Sequence, residues 1–251
     1  MCLITFSWQP SAPKRLILAA NRDEFYQRPT RAMMEWPEHP GLYAGKDLQQ
    51  GGSWLGVRQQ RFAALTNIRA PGQEPDKALS RGHLVTDFLT SSLPAAQWLQ
   101  QLAESAARYG LFNLLCYDGE QLWYCHNHPD FYQQPLDPGL YALSNAHLDT
   151  AWPKAEDARQ QLAHWLEQTE QDELPTRILN RCQPYPPQQL PDTGVPPEWE
   201  KLLSSQFIQS AVYGTRCSTG LIMEQHCVRL EEISWGKGMT EQQRQRYHFP
   251  I

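Results

Sequence analysis

Two neighbouring stretches decide the reading of this chain: Met1-Cys2-Leu3-Ile4-Thr5-Phe6, and Leu16-Ile17-Leu18-Ala19-Ala20-Asn21-Arg22-Asp23-Glu24. Each is a short apolar run bounded by polar residues, the pattern of a buried strand. The connector Gln9 to Lys14 holds two prolines and a serine, which predicts a hairpin. Asn21 to Glu24 then fall at a strand end, where a rigid scaffold aims functional groups. If Met1 is removed, Cys2 carries a thiol and a free α-amine on one residue. An α-amine titrates near neutrality, at about 7.7–8.0 in model compounds. It can therefore serve as the base for its own thiol, as in N-terminal nucleophiles. The plainer reading makes Cys2 a small buried residue and Arg22 with Asp23 a surface pair. The polar cluster at 21–24 raises the sharper one.

The 251 residues are 41% hydrophobic and 20% charged, a globular composition with enough chain for a sizeable core. The net charge of −5 argues against nucleic-acid binding, which needs a basic face. No apolar run reaches the roughly 20 residues of a membrane helix, and no secretory signal is evident. The six cysteines, at 2, 116, 125, 182, 217 and 227, form no C-x-x-C pair. Spread over a long chain, they read as reduced thiols of a cytoplasmic protein. Neither a P-loop nor a dinucleotide-binding glycine motif occurs, so no nucleotide cofactor is expected.

Further along, residues 25–50 read as loop, with prolines at 37 and 40. A second sheet signal runs through Gly51-Gly52-Ser53-Trp54-Leu55-Gly56-Val57 and Phe62 to Asn67. Residues 81–89 and 95–107 show helical apolar spacing. Phe112–Tyr117 and Gln121–Cys125 flank Asp118-Gly119, a hairpin signal. Tyr141 to Asn145 read as a strand and 154–168 as a helix. The prolines of 184–197 mark an irregular excursion, with a short helix near 198–209. Strands follow at 213–224 and 226–235, and a polar tail starts at about 240. Hairpins without strict βαβ alternation imply antiparallel sheets with helices on their faces. The reading is therefore one α+β domain spanning residues 1–251.

Several polar strand ends supply the parts of an acyl-transfer site: Arg22 and Asp23, then Asn67, Asn145 and Arg216. Asn amides can donate to an oxyanion, and Arg22 or Asp23 can hold the α-amine and tune the thiol. Singly, each Asn is also a turn former. Cys125-His126-Asn127-His128 is the densest group of metal-ligating types, but it reads as a solvated loop pair before Pro129, and no structural metal is expected. Ser80-Arg81-Gly82 precedes a helix, where Arg81 can either help hold an anion or face solvent beside a simple cap.

Ala20-Asn21-Arg22-Asp23-Glu24 with Arg28-Pro29, the Gly51–Gly56 run, Thr66-Asn67, Ser80-Arg81-Gly82, Phe112-Asn113-Leu114, Leu143-Ser144-Asn145 with Leu148-Asp149-Thr150, Trp152-Pro153-Lys154 and Tyr213-Gly214-Thr215-Arg216 together resemble the NRDE family, which includes the transport and Golgi organisation protein 2 of animals. The match spans nearly the whole chain in order, leaving out the proline-rich stretch and the tail. The resemblance implies a four-layer αββα sandwich of two antiparallel sheets between helical layers, like that of N-terminal nucleophile hydrolases. It implies intracellular trafficking of haem, or of a similar hydrophobic anion, as cargo. More distantly, it implies a cysteine amidohydrolase acting on a small amide. Cys2 would then be the nucleophile, Asn67 and Asn145 would surround the oxyanion, and Arg22, Asp23 and Arg216 would tune and orient. Asn21, Glu24, Trp54, Arg81 and Trp152 are the binding candidates. The adjacency of Arg22 and Asp23 departs from the amidase pattern.

Overall fold

The structure, a computed structural model, describes residues 2–75, 78–168 and 173–251. In chain order the strands are β1 (Cys2–Trp8), β2 (Lys14–Phe25), β3 (Thr30–Glu35), β4 (Leu42–Asp47), β5 (Leu55–Arg58), β6 (Arg61–Asn67), β7 (Phe112–Tyr117), β8 (Leu122–His126), β9 (Tyr132–Pro135), β10 (Gly139–Leu143), β11 (Tyr213–Glu224), β12 (Cys227–Trp235) and β13 (Glu241–Pro250). The helices are α1 (Gly82–Thr90), α2 (Ala95–Ala103), α3 (Pro153–Glu167) and α4 (Pro197–Leu203). They form two compact units. One is Arg28–Asp137; the other joins the chain up to Gln27 with Pro138–Ile251. Each unit is built on one antiparallel sheet, which bears out the α+β class.

The discontinuous unit carries a six-stranded sheet in the order β10-β1-β2-β11-β12-β13. Its long central strand β2 pairs with β1 on one side and β11 on the other. Side chains alternate between faces along a strand, so Leu3, Ile17, Ala19 and Ile222 lie on one face. Against them pack Ala158 and Leu162 of α3, with Leu179. Ile4, Phe6, Trp8, Leu16, Leu18 and Leu221 lie on the opposite face and are also buried. Burying each such side chain contributes about 1.5–3 kcal/mol. A strand buried on both faces reads as a continuous apolar run, as Leu16 to Ala20 does.

The continuous unit is a seven-stranded meander from β3 to β9. Its core joins Leu84, Phe88 and Leu89 of α1 and Leu99 and Leu102 of α2 to Phe112, Leu114 and Cys116. The last three are alternate residues of β7, which places them on one face. Gly119 in the β7–β8 turn has φ 102°, a left-handed conformation that glycine adopts without strain.

Several expectations are corrected. Residues 25–50 are not a loop: they contain β3 and β4, which pair with each other. The prolines at 37 and 40 occupy the turn between the two strands, where they interrupt no ladder bond. The strand β2 runs past its apolar stretch to Phe25, so the Asn-Arg-Asp-Glu run is its C-terminal part, at the strand end as expected but within the ladder. Asn21 and Arg22 are paired by β1 and β11, and Asp23 and Glu24 by β11 alone. The polar tail is β13, hydrogen-bonded along β12. As an exposed edge strand it has little apolar signature, and its charged side chains discourage further pairing. His126 is the last residue of β8, half-buried and stacked on Tyr132 with centroids 5.3 Å apart, and so is not in a solvated loop. The expected strand at 141–145 ends at Leu143, and β9 was not foreseen. The proline-rich stretch is irregular apart from a 3-10 turn at Pro187–Gln189. It is pinned where the Tyr185 hydroxyl donates to Asp157.

Candidate functional site

The site is built where β1, β2 and β11 run side by side. Cys2 stands directly opposite Arg22, and Arg22 directly opposite Cys217. Residues directly opposite in an antiparallel pair share a face, so Cys2, Arg22 and Cys217 form a row. Glu24, two residues on from Arg22, shares that face, with a carboxylate oxygen 3.8 Å from the Arg22 guanidinium.

The other face is organised by a bulge. Thr215 pairs with Asp23 and Cys217 with Arg22, so Arg216 is the extra residue. In a regular strand Thr215 and Cys217 would project together. The bulge reverses Thr215, which therefore meets Asp23 on the α3 face while Cys217 stays beside Arg22. The Thr215 hydroxyl donates to Asp23 Oδ1 at 2.7 Å and accepts the Ile208 N–H at 2.9 Å. Asn21 lies on the same face. Its amide nitrogen donates to the carbonyls of Leu179 (2.8 Å) and Gln206 (2.9 Å), and its oxygen accepts the Ser218 hydroxyl at 2.6 Å. Trp235 Nε1 donates to that hydroxyl oxygen at 2.9 Å. These bonds commit Asn21 to anchoring the segments at 179 and 206.

Arg216 is half-buried on the bulge. Its guanidinium donates to the carbonyls of Phe25 (2.9 Å) and Tyr26 (3.3 Å) and lies 5.9 Å from the Tyr26 ring centroid. Lys237 approaches the same ring to 5.6 Å. Lys154, at the start of α3, is 3% exposed, and its ammonium donates to the Leu203 carbonyl at 2.8 Å. Trp152 precedes α3, 6.0 Å from that ammonium. Asn145 is buried just beyond β10. The last β1–β10 pair is Ile4 with Leu143, so Asn145 follows Leu143 by the spacing that separates Ile4 from Cys2.

Burial sets the electrostatics. It pushes the Cys2 thiol up, Asp23 adds to the effect and Arg22 opposes it. It also raises the Asp23 carboxyl, against the pull of Lys154, the Thr215 hydrogen bond and Arg22. The Arg216 guanidinium is lowered, first by burial and then by the like charge of Arg22. The Cys217 thiol is pushed well up by burial and by Glu232. The row of thiols is thus protonated at neutral pH.

Asn67, Trp54 and Arg81 belong to the continuous unit. Asn67 closes β6 opposite Phe112. Trp54 is buried, and its ring occupies the space that a Cβ at Gly45 would take. Arg81 donates to Glu74 (2.8 Å) and to the Leu111 carbonyl (3.2 Å), so it ties a loop to the sheet rather than facing solvent alone. Met1, whose removal the N-terminal nucleophile reading requires, lies outside the described residues. Among the described residues, no group of three or more His, Cys, Asp or Glu is arranged to hold a metal. All six cysteines are free, and among the described residues no helix is long and apolar enough to cross a membrane. Lys154, Thr215, Cys217 and Tyr26 were not singled out in the sequence. Lys154 and Thr215 fall inside the Trp152-Pro153-Lys154 and Tyr213–Arg216 segments, which is the signal that would have found them.

The family model described as Transport and Golgi organisation 2 matches residues 1–234. The Transport and Golgi organization 2 homolog of Mus musculus is 32% identical, covering 100% of this chain and 99% of its own. The homolog of Bos taurus is 34% identical over 89% of each, and that of Homo sapiens 31% identical over 100% and 99%. Among solved structures, a Caenorhabditis elegans N-acylethanolamine-hydrolyzing acid amidase ortholog is similar at 11% identity and a TM-score of 0.45. That match covers 88% of this chain and 92% of that one.

Proposed function

Because the chain belongs to the Transport and Golgi organisation 2 family, we propose that it binds and carries a hydrophobic anion within the cytoplasm, with haem as the first candidate cargo. The observation that carries this reading is the pair of guanidiniums at 22 and 216. Arg22 stands opposite Cys217, and Arg216 is the bulged residue just before it; Arg22 is buried and Arg216 half-buried. Glu24 lies 3.8 Å from Arg22, so two guanidiniums face one carboxylate, and a bound anion would offset the remaining positive charge. Guanidinium groups also match carboxylates with paired hydrogen bonds. Recognition in this reading rests on the acid groups of the cargo and needs no iron ligand. The four-layer αββα arrangement is part of the same proposal.

A spectral titration of the purified protein with haem tests it. A saturable Soret shift at equimolar protein, weakened about tenfold or more in Arg216→Ala (about 1.4 kcal/mol per tenfold), supports the reading. No saturable change sinks it.

Cys2 opposite Arg22, with buried Asp23 nearby, favours a second reading: an N-terminal cysteine amidohydrolase. Once Met1 is removed, the α-amine takes the thiol proton as sulfur attacks the amide carbonyl. Asn145, in the same unit as Cys2, is the candidate donor to the oxyanion. The protonated amine then hands its proton to the departing amine, and water hydrolyses the thioester. Intact-mass analysis of untagged protein decides whether this route exists, because retention of Met1 blocks the α-amine. If Met1 is absent and Cys2→Ala keeps full activity on an amide, the second reading is dead.

A further inference from the structure

We infer that the cleft between α3 and residues 178–180 binds a neutral saccharide: Trp165 and Ile178 carry the C–H face of a sugar ring, while the amides of Gln160, Gln161 and Asn180 take its hydroxyls. The cleft lies within the discontinuous unit and is independent of the anion-binding reading above.

Asp157, Gln160, Gln161 and Trp165 recur along α3 at intervals of three and four, which gathers them on one flank of the helix. Ile178 and Asn180 border the other side of the cleft. Its volume of about 520 Å³ falls inside the range of about 300–1,000 Å³ for small-molecule sites. The apolar part is anchored, because Trp165 and Ile178 both pack against the core of Ile17, Leu162 and Ile222. That core belongs to the α3 face of the sheet, opposite to the row of Cys2, Arg22 and Cys217.

Two acceptors call for a ligand that donates. Gln161 Oε1 is buried and has no hydrogen-bond partner among the described residues. Buried polar atoms are nearly always paired, so this one asks for a donor. Gln161 borders the cleft, and a hydroxyl of a ligand seated there is placed to supply it. Asp157 uses only Oδ2 for the Tyr185 hydroxyl and the Arg181 guanidinium, which leaves Oδ1 as a second acceptor.

Charge and hydrogen-bonding type identify the occupant. Among the lining residues only Asp157 and His164 titrate, and Asp157 is paired with Arg181 at 3.4 Å. An ionic ligand therefore meets no unpaired opposite charge. A purely apolar ligand would strip water from three amides and return nothing. An amide both donates and accepts, and so does a hydroxyl. Amides around an indole ring thus fit a molecule that is apolar on one face and hydroxylated at its edge, as a pyranose is.

The test titrates the full chain with maltose, cellobiose, lactose and N,N′-diacetylchitobiose by saturation-transfer difference NMR, which reads weak binding. A saturable signal is expected from at least one of them. Gln161→Ala and Asn180→Ala should each weaken that binding about tenfold. Asn180 is exposed, so its variant leaves the core untouched. Gln161→Ala removes the unpaired acceptor, so its thermal midpoint should not fall below that of wild type. Saturable binding that both variants keep unchanged puts the sugar elsewhere and overturns the cleft. No saturable signal from any of these sugars overturns the saccharide assignment. Binding of sodium hexanoate that depends on Gln161, with no sugar bound, also overturns it in favour of an ionic ligand. A sugar that binds while haem does not leaves this inference standing and sinks only the anion-binding reading.

Discussion

Asp23 and Thr215 meet across two strands through a 2.7 Å hydrogen bond that exists because Arg216 is an extra residue in β11. The Thr215 hydroxyl is fixed in both its roles, as donor to Asp23 Oδ1 and as acceptor from the Ile208 N–H. Replacing it by valine keeps the shape and removes both bonds. Buried partners left unsatisfied cost about 1–3 kcal/mol. Thr215→Val should therefore lower the urea midpoint with an unchanged slope. Unchanged stability would show that these bonds contribute little.

The buried Asp23 carboxyl titrates above its ordinary range, chiefly because burial disfavours its charge. The folded chain thus holds this proton more tightly than the unfolded chain does. The resulting contribution to stability is fully present below the unfolded carboxyl value, about 3.9, and is lost as pH rises through the raised folded value. Asn at this position mimics the protonated form and still accepts from Thr215. Asp23→Asn should be more stable than wild type at neutral pH, and the difference should shrink as pH falls toward about 4. Urea unfolding across that range checks it, and a gap that widens on acidification would contradict the sign. Asp149, also raised mainly by burial, leaves a residual slope in both proteins.

Asn21 is tied to Leu179, Gln206 and Ser218. Asn21→Ala abandons three buried partners and should cost about 2–4 kcal/mol, read as a fall in thermal midpoint. Ligand affinity of the remaining folded protein should change little. A large loss of affinity with stability intact would instead assign Asn21 to the ligand.

Cys2 is 7% exposed and its thiol is pushed up by burial. The thiolate is the reactive form, so iodoacetamide should label Cys2 in the native chain at neutral pH at least about tenfold more slowly than in urea. Labelling should speed up as pH rises. Peptide mass spectrometry measures both. Native labelling as fast as in urea would mean that a free α-amine activates the thiol, and would favour the amidohydrolase reading.

The sequence by itself determined the elements whose burial is encoded locally. The two-sided apolar run Leu16–Ala20, the helical spacing of Leu84, Val85, Phe88 and Leu89, the Asp118-Gly119 turn and the family motifs were all legible, because each signal lies within a few residues of its cause. It also showed Cys2, Arg22, Asp23 and Arg216 as chemistry-bearing positions. Only the tertiary structure decided which of them meet. Arg22 faces Cys2 and Cys217 because of strand register. Asp23 faces Thr215 because of one bulge, and Lys154 acts on Asp23 from α3. Those meetings join residues tens to hundreds of positions apart. The strands β3, β4 and β13 pair with near neighbours in sequence and were hidden for another reason: prolines 37 and 40 read as loop, and β3 and β13 are sheet edges, which leave little apolar pattern in their own sequence.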